Sequence, residues 1–317
     1  MAVKVLERLT ASLPVVLGAS IVVFILLHMT PGDPADALLG PMATGESRLE
    51  LKKALGLDKP LYLQYAFWLE RTLRGDLGDS TEQKVPVLGL VLDRLKNSII
   101  LTLGGGTLGL LLGLWAGVIA ALRYRSILDR LILAGFTLAI SVPAYWLATV
   151  ALFVFAVALR WFPTGGMYSL AGKGGMWDLL WHLALPALLA SFIPGALLAA
   201  TTRTAMLNIL GRDFVRTATA KGLPRRLVLF KHIMPNLLPT IVSMAGLQIG
   251  YLMVGSAVFI EIVVNWPGLG LLAYEAILGR DLPVILSIVL VSALMFVVLN
   301  LIVDVTQIIL DPRVRES

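Results

Sequence analysis

Hydrophobic positions in this chain gather into six long uncharged blocks: Leu9–Met29, Ile99–Leu122, Leu131–Leu159, Leu183–Ala200, Leu237–Ile260 and Leu282–Val303. The hydrocarbon core of a bilayer takes about 20 apolar residues of helix. Each block is long enough to cross it, the fourth only just. A soluble chain of this length has too little interior to hide all six. The pattern predicts an all-α membrane protein with six transmembrane helices. The first block is about twice as long as the apolar core of a secretory signal. His28-Met29-Thr30-Pro31 follows it in place of a small-residue cleavage site, so it is expected to stay as a helix.

The polar intervals set the orientation. With the N-terminus inside, the cytoplasmic segments hold Lys4, Arg8, Arg123, Arg125, Arg130, Arg203, Arg212, Arg216, Lys221, Arg225, Arg226, Lys231, Arg313 and Arg315. The short loops opposite hold only Arg160, Lys173 and Arg280. Lys and Arg in short loops mark the cytoplasm, so both termini are expected there. The long interval Thr30–Ser98 counts little in this rule and mixes nine basic with ten acidic residues. Within it Ala54–Leu73 has helical spacing through Leu55, Leu61, Tyr65, Trp68 and Leu69. Short helices over the outer face are expected there, as a substrate vestibule, a partner contact or a plain packing lid. The chain divides into a tail and first helix (1–29), an outer cap (30–98), a core of five helices (99–306) with a cytoplasmic loop at 211–236, and a tail (307–317).

Composition narrows the chemistry. Of 317 residues 58% are hydrophobic and 15% charged, with a net charge of +6 that loop topology explains better than nucleic acid does. The chain has no cysteine, which excludes disulfides, thiolate metal sites and cysteine nucleophiles. His28, His182 and His232 lie far apart, form no metal-spaced pair, and are expected at interfaces. Gly172-Lys173-Gly174 lacks the Ser/Thr and upstream glycine of a phosphate-binding loop, so ATP is not expected on this chain. An intramembrane hydrolase would need paired Asp, Ser/His or a zinc motif within the spans. A secondary carrier would show inverted repeats or midplane charge. The spans carry none of these.

The segment Gly211–Pro239 is basic and punctuated. Asp213 suits a helix N-terminus as a cap or favourable charge. Phe214, Thr217, Ala218 and Lys221 fall on one face by spacing. Gly222 stands where the chain needs positive φ, and Leu223-Pro224 breaks the helix. A second helix is expected over Arg225–His232, with Leu227, Phe230 and Met234 available to bury, and Pro235 and Pro239 marking entry into the fifth span. Ala218, Ala220 and Gly222 would let a partner surface come close. The cations suit acidic groups or lipid phosphates, although a basic loop beside a membrane can also be topology signal alone.

Polar residues within the spans are few. Ser141, Gln248, Tyr251 and Asn300 are candidates for a translocation path, or for hydrogen bonds between helices. Glu261 and Asp304 are expected as interfacial charges. Gly104, Gly105, Gly106, Gly109 and Gly113 form a small-residue stripe suited to close helix packing. Pro143 is expected to kink the third span.

The loop resembles the EAA loop of ABC importer permeases, whose pattern is Glu-Ala-Ala, three residues, Gly, nine residues, Ile-x-Leu-Pro. Gly222, Ala218, Met234 and Pro235 fall on the pattern, whereas Arg216, Thr217 and His232 depart from it. Arg216-Thr217-Ala218-Thr219-Ala220-Lys221-Gly222 is similar to the peptide/nickel branch, the first permease of dipeptide and oligopeptide importers. So are His28 to Pro34, Leu55 to Pro60, Gly75 to Ser80, Trp266 to Gly270 and Asp311 to Arg313, in order. The resemblance implies a type I ABC importer permease fold in the bacterial inner membrane. It implies coupling to an ATPase through Asp213, Phe214, Arg216, Thr217, Ala218, Ala220, Lys221, Gly222 and Pro235. Its partners would be a second homologous permease, two ATPase subunits carrying ATP and Mg, a periplasmic or lipid-anchored substrate-binding protein, and membrane lipid. No metal, cofactor or nucleic acid is expected on this chain. The implied cargo is di- or oligopeptides, with nickel chelates or other small solutes second and an ATP-independent secondary carrier as the outside alternative.

Overall fold

Proline and glycine set most of the helix boundaries in the computed structural model, which describes residues 2–29, 59–169 and 174–310. The described residues are helical and hold no strand beyond an isolated bridge between Asp79 and Pro86. In chain order the helices are α1 (Ala2–Met29), α2 (Leu61–Leu73), α3 (Val87–Leu122), α4 (Ile127–Ser141), α5 (Ala144–Ala158), α6 (Met176–Leu210), α7 (Asp213–Ala220), α8 (Arg225–Tyr251), α9 (Ala257–Val263), α10 (Leu269–Leu278) and α11 (Leu282–Leu310).

Four of them, α3, α6, α8 and the Leu282–Gln307 part of α11, are long and apolar enough to cross a bilayer. Helices α4 and α5 together make a fifth candidate, and α1 contributes the shorter apolar stretch Ser12–Leu26.

Two expectations are corrected and one is borne out. The kink expected at Pro143 divides the third block: α4 and α5 meet at 102°. Pro143 has no N–H to donate and drives the residue before it out of helical geometry, and Val142 is accordingly extended at φ −88, ψ 128. The fourth block is not marginal. Its 18 uncharged residues are the middle of α6, 35 residues long and so about 52 Å at 1.5 Å per residue. Polar residues such as Asp178 and Thr201 continue the helix at both ends, and charge-free length understated it. Helix α3 likewise starts at Val87, well before the apolar block, so the last residues assigned to the outer cap are its first turns. The helix expected over Ala54–Leu73 is present as α2, and residues 54–58 lie outside the described residues.

The chain forms two compact units. The first takes Lys96–Leu271 with the two chain ends, Met1–Leu9 and Val298–Ser317. Its spine is the contact of α3 with α6, made close by glycine. A Cβ added to Gly113 would lie 2.5 Å from the Gly195 carbonyl oxygen, and one on Gly117 2.6 Å from that of Ala199. A Cβ on Gly109 would face the Ser191 carbonyl oxygen at 3.0 Å in the same way, and one on Gly105 the Ala190 Cβ at 2.5 Å. Repeats at every fourth residue bring two backbones together on one helical face, which suits packing in lipid where dispersion contacts carry association. Two apolar clusters flank this spine. One joins Leu101, Leu189, Leu252, Ile260 and Trp266. The other joins Leu198, Met206, Val215, Val228 and Leu237.

The second unit takes Thr10–Leu95 and Leu272–Val297. Val23, Leu286 and Leu290 are buried there beneath Trp68 and Leu77. Phe24 meets the Tyr65 ring edge-on at 5.3 Å, and the Tyr65 hydroxyl and Ser20 Oγ are 2.7 Å apart. The Gly75–Ser80 motif is an anchored loop. Asp76 accepts from Arg71 Nε at 2.8 Å and Gly78 N at 3.0 Å. The Arg71 bond, then the Gly78 amide, hold the Asp76 carboxyl below the usual carboxylate range. At its far end Ser80 donates to buried Asp281, which also accepts from the Thr81 and Glu82 amides.

Candidate coupling element and membrane path

Helix α7 begins after extended Arg212, which offers no side-chain cap. Asp213 therefore acts as a first-turn charge, not as the cap. Its ion pair with Arg216 at 3.8 Å is solvent-exposed and contributes little. The helix ends in a Schellman turn. Leu223 N donates to Ala218 O at 3.3 Å and Gly222 N to Thr219 O at 3.0 Å, with Gly222 at φ +74. These bonds satisfy carbonyls at the helix end, and glycine takes the left-handed conformation without a Cβ penalty. Pro224, at ψ 140, opens α8 by accepting from Leu227 N and Val228 N.

The predicted helix, turn and helix are present, but their faces differ from the expectation. Val215 and Ala218 point into the apolar cluster beneath α6. Phe214, Arg216, Thr217, Ala220 and Lys221 are exposed. Ala218 thus backs the element and does not share the face of Phe214, Thr217 and Lys221. In the first turns of α8 Val228 and Ile233 are buried, whereas Leu227 is 40% and Phe230 68% exposed. The cause is a π turn over Val228–Ile233. Pro235 cannot donate to the carbonyl four residues back, and a wider turn accommodates its ring. Widening puts residues five apart on one face, hence Val228 with Ile233. The ordinary spacing of four then resumes through the buried Leu237 and Ile241.

The sequence reading missed Asp129, which stands among Arg123, Arg125 and Arg130. It is 2% exposed and accepts from Arg203 Nε at 2.7 Å, Arg203 Nη2 at 2.9 Å and Arg125 N at 2.9 Å. The Tyr124 ring lies 5.2 Å and 5.3 Å from the Arg125 and Arg203 guanidiniums. An acid isolated in a basic loop was the available signal.

Glu261 is corrected from an interfacial charge to a buried one, 1% exposed. Ser98 Oγ donates to its Oε1 at 2.6 Å and Gly270 N to its Oε2 at 2.6 Å, while Leu269 N donates to Ser98 Oγ at 2.7 Å. Trp266 Nε1 donates to Asn97 O, and Asn97 Nδ2 to Pro267 O. The Trp266–Gly270 turn folds back over the carboxylate, and its glycines leave room for it. His182 is also buried, with Nδ1 2.9 Å from Asp178 O; His232 is half-buried.

The four candidate path residues are not brought together by hydrogen bonds. Ser141 is exposed and donates to Thr137 O. Gln248 is buried with Nε2 3.4 Å from Met244 Sδ. Tyr251 is exposed and Asn300 half-buried. Beside the α4–α5 bend lies a cavity of about 10 Å³ lined by Ala139, Val142, Ala144, Leu189, Phe192 and Ile260, room for about one water. The motifs His28–Pro34, Leu55–Pro60 and Asp311–Arg313 fall largely or wholly outside the described residues.

Known proteins match this chain along its length. The family described as binding-protein-dependent transport system inner membrane component matches residues 109–316, and its N-terminal counterpart residues 1–102. A relative in Brucella suis is 40% identical over 98% of each chain. The oligopeptide transport system permease protein AppB of Bacillus subtilis is 36% identical over 99% of this chain and 100% of its own. The fold is similar to that in an inward-facing structure of the MetNI methionine ABC transporter. The TM-score is 0.58 at 18% identity, over 70% of this chain and 96% of that one. From its helical fold and its match to this family over both halves, the chain belongs to the binding-protein-dependent transport system inner membrane components, the permease subunits of ABC importers.

Proposed function

We propose that this chain forms, with a second homologous permease, the path by which an ATP-driven importer takes up di- or oligopeptides, and that α7 is its contact with an ATPase subunit. One observation carries the coupling role: α7 is exposed on one face and rooted on the other. Phe214, Thr217 and Lys221 face outward, while Val215 and Ala218 sit in the cluster that includes Met206, Val228 and Leu237. A push on the exposed face is thereby delivered to α6 and α8. For ATP to drive the permease, that contact must differ in free energy between its two states. ATP and Mg sit on the two partner ATPases. A periplasmic or lipid-anchored binding protein presents cargo to the outer face. The peptide class is supported by the oligopeptide system to which the Bacillus subtilis relative belongs. Six spans with both termini in the cytoplasm complete the reading.

The natural chain has no cysteine, so single thiols report without background. A Thr217→Cys permease assembled with its ATPases should cross-link to an ATPase chain and be labelled from the cytoplasmic side alone. Labelling from outside, or uptake of peptide that persists without the ATPase chains, would overturn the reading.

A further inference from the structure

The two halves of the cytoplasmic element differ in what they expose. Helix α7 shows small and mixed residues, with Asp213 as the one acid in Gly211–Pro239. The start of α8 shows Arg225, Arg226 and Lys231, all exposed and none in an ion pair among the described residues. Between them Leu227 and Phe230 also stand exposed, turned outward by the π turn that buries Val228 and Ile233. A phenyl and an isobutyl group set among unpaired cations form neither a solvated face nor an apolar core.

Position decides what they meet. Helix α8 runs without interruption from Arg225 into its apolar span. At 1.5 Å per residue Arg225 to Lys231 covers about 9 Å, close to the depth of one headgroup layer, roughly 5–8 Å. Lys231 is then followed, after His232–Asn236, by the uncharged block that begins at Leu237. Long cationic side chains at such a boundary reach toward phosphate while apolar neighbours enter the acyl edge.

We propose that the first turns of α8 are an anionic-phospholipid site: Arg225, Arg226 and Lys231 hold headgroup phosphates, and Leu227 and Phe230 insert beside them. The proposal rests on the cytoplasmic placement of this loop. It divides the element in two, with α7 for the protein partner and the α8 entry for the leaflet.

The test is native mass spectrometry of the full-length permease, released from bilayers of phosphatidylglycerol and phosphatidylcholine. Wild type should retain phosphatidylglycerol preferentially. Each of Arg225→Gln, Arg226→Gln and Lys231→Gln should cut that preference roughly fivefold, and all three on the order of a hundredfold. Arg216→Gln with Lys221→Gln should leave it unchanged. Millimolar inorganic phosphate should not displace the lipid; displacement would make this a free-phosphate site and overturn the proposal. A triple variant that retains the lipid like wild type would overturn the proposal and reassign the cations to an acidic protein surface. The single variants keep the test valid if the triple one does not fold. Lipid retention is read without ATP, ATPases or peptide, so its failure is separate from a failure of the import function.

Discussion

Arg203 and Asp129 meet in a two-point fork, Nε to Oδ1 at 2.7 Å and Nη2 to Oδ2 at 2.9 Å, across 74 residues of chain. The pair fastens the first turn of α4 to α6, the helix that leads directly into α7. Such a pair contributes less than its Coulomb energy suggests, because both ions are desolvated. Removing one partner is worse than removing both. Arg203→Ala or Asp129→Asn should each cost about 2 kcal/mol, at the low end because Arg203 lies near the solvent boundary. The double variant Arg203→Met/Asp129→Leu should recover much of that loss. Thermal unfolding of the purified protein in detergent reads all three, and a double variant as unstable as the sum of the singles would refute the coupling.

Gly113 lies where α3 and α6 run backbone to backbone, a Cβ there falling 2.5 Å from the Gly195 carbonyl oxygen. Gly113→Leu must separate the two helices, and overpacking of this kind costs about 1–3 kcal/mol or more. Gly135 is the control, since a Cβ there meets nothing within 4 Å. Gly135→Ala should be neutral or slightly stabilising. Equal yields and unfolding temperatures for Gly113→Leu and wild type would contradict the packing role.

Gly222 presents a different constraint. A Cβ there meets open space, yet φ is +74, so the penalty is backbone strain of about 1–2 kcal/mol. Gly222→Val should insert and assemble normally but lose ATP-driven uptake in proteoliposomes. Gly222→Asn, which tolerates the left-handed region better, should retain more. Full uptake by the valine variant would show that the turn is dispensable.

Glu261 accepts donors at both oxygens. Glu261→Gln turns one acceptor into a donor facing an N–H or the Ser98 hydroxyl, a mismatch of about 1–3 kcal/mol in a buried site. The Trp266–Gly270 turn should then become accessible to added protease. Unchanged protection and stability would mean that the carboxylate is not what holds the turn.

Local features of the chain were legible in the sequence because adjacent residues cause them. Pro143 bends the third block by removing a donor and restricting Val142. Gly222 and Pro224 end one helix and begin the next. The glycine spacing in α3 announced close packing, because nothing but a backbone can occupy those positions. The exposed face at the start of α8 was misread for a reason just as local. The π turn before Pro235 adds a residue to the turn, so a register counted at three and four places Leu227 and Phe230 inside when they are outside.

The sequence by itself determined that this chain is a helical membrane protein, where its apolar blocks lie and where the Gly222–Pro224 turn falls. Hydropathy and backbone restriction are written in consecutive residues, and so these survive translation into structure. Only the tertiary structure decided which face of each helix is covered, because lipid and protein interior are equally apolar and select the same residues. It also paired Asp129 with Arg203 and enclosed Glu261 beneath Ser98 and Gly270. Partners separated by 74 and 163 residues are joined where α4 meets α6 and where α3 meets α9, and no local pattern encodes that meeting.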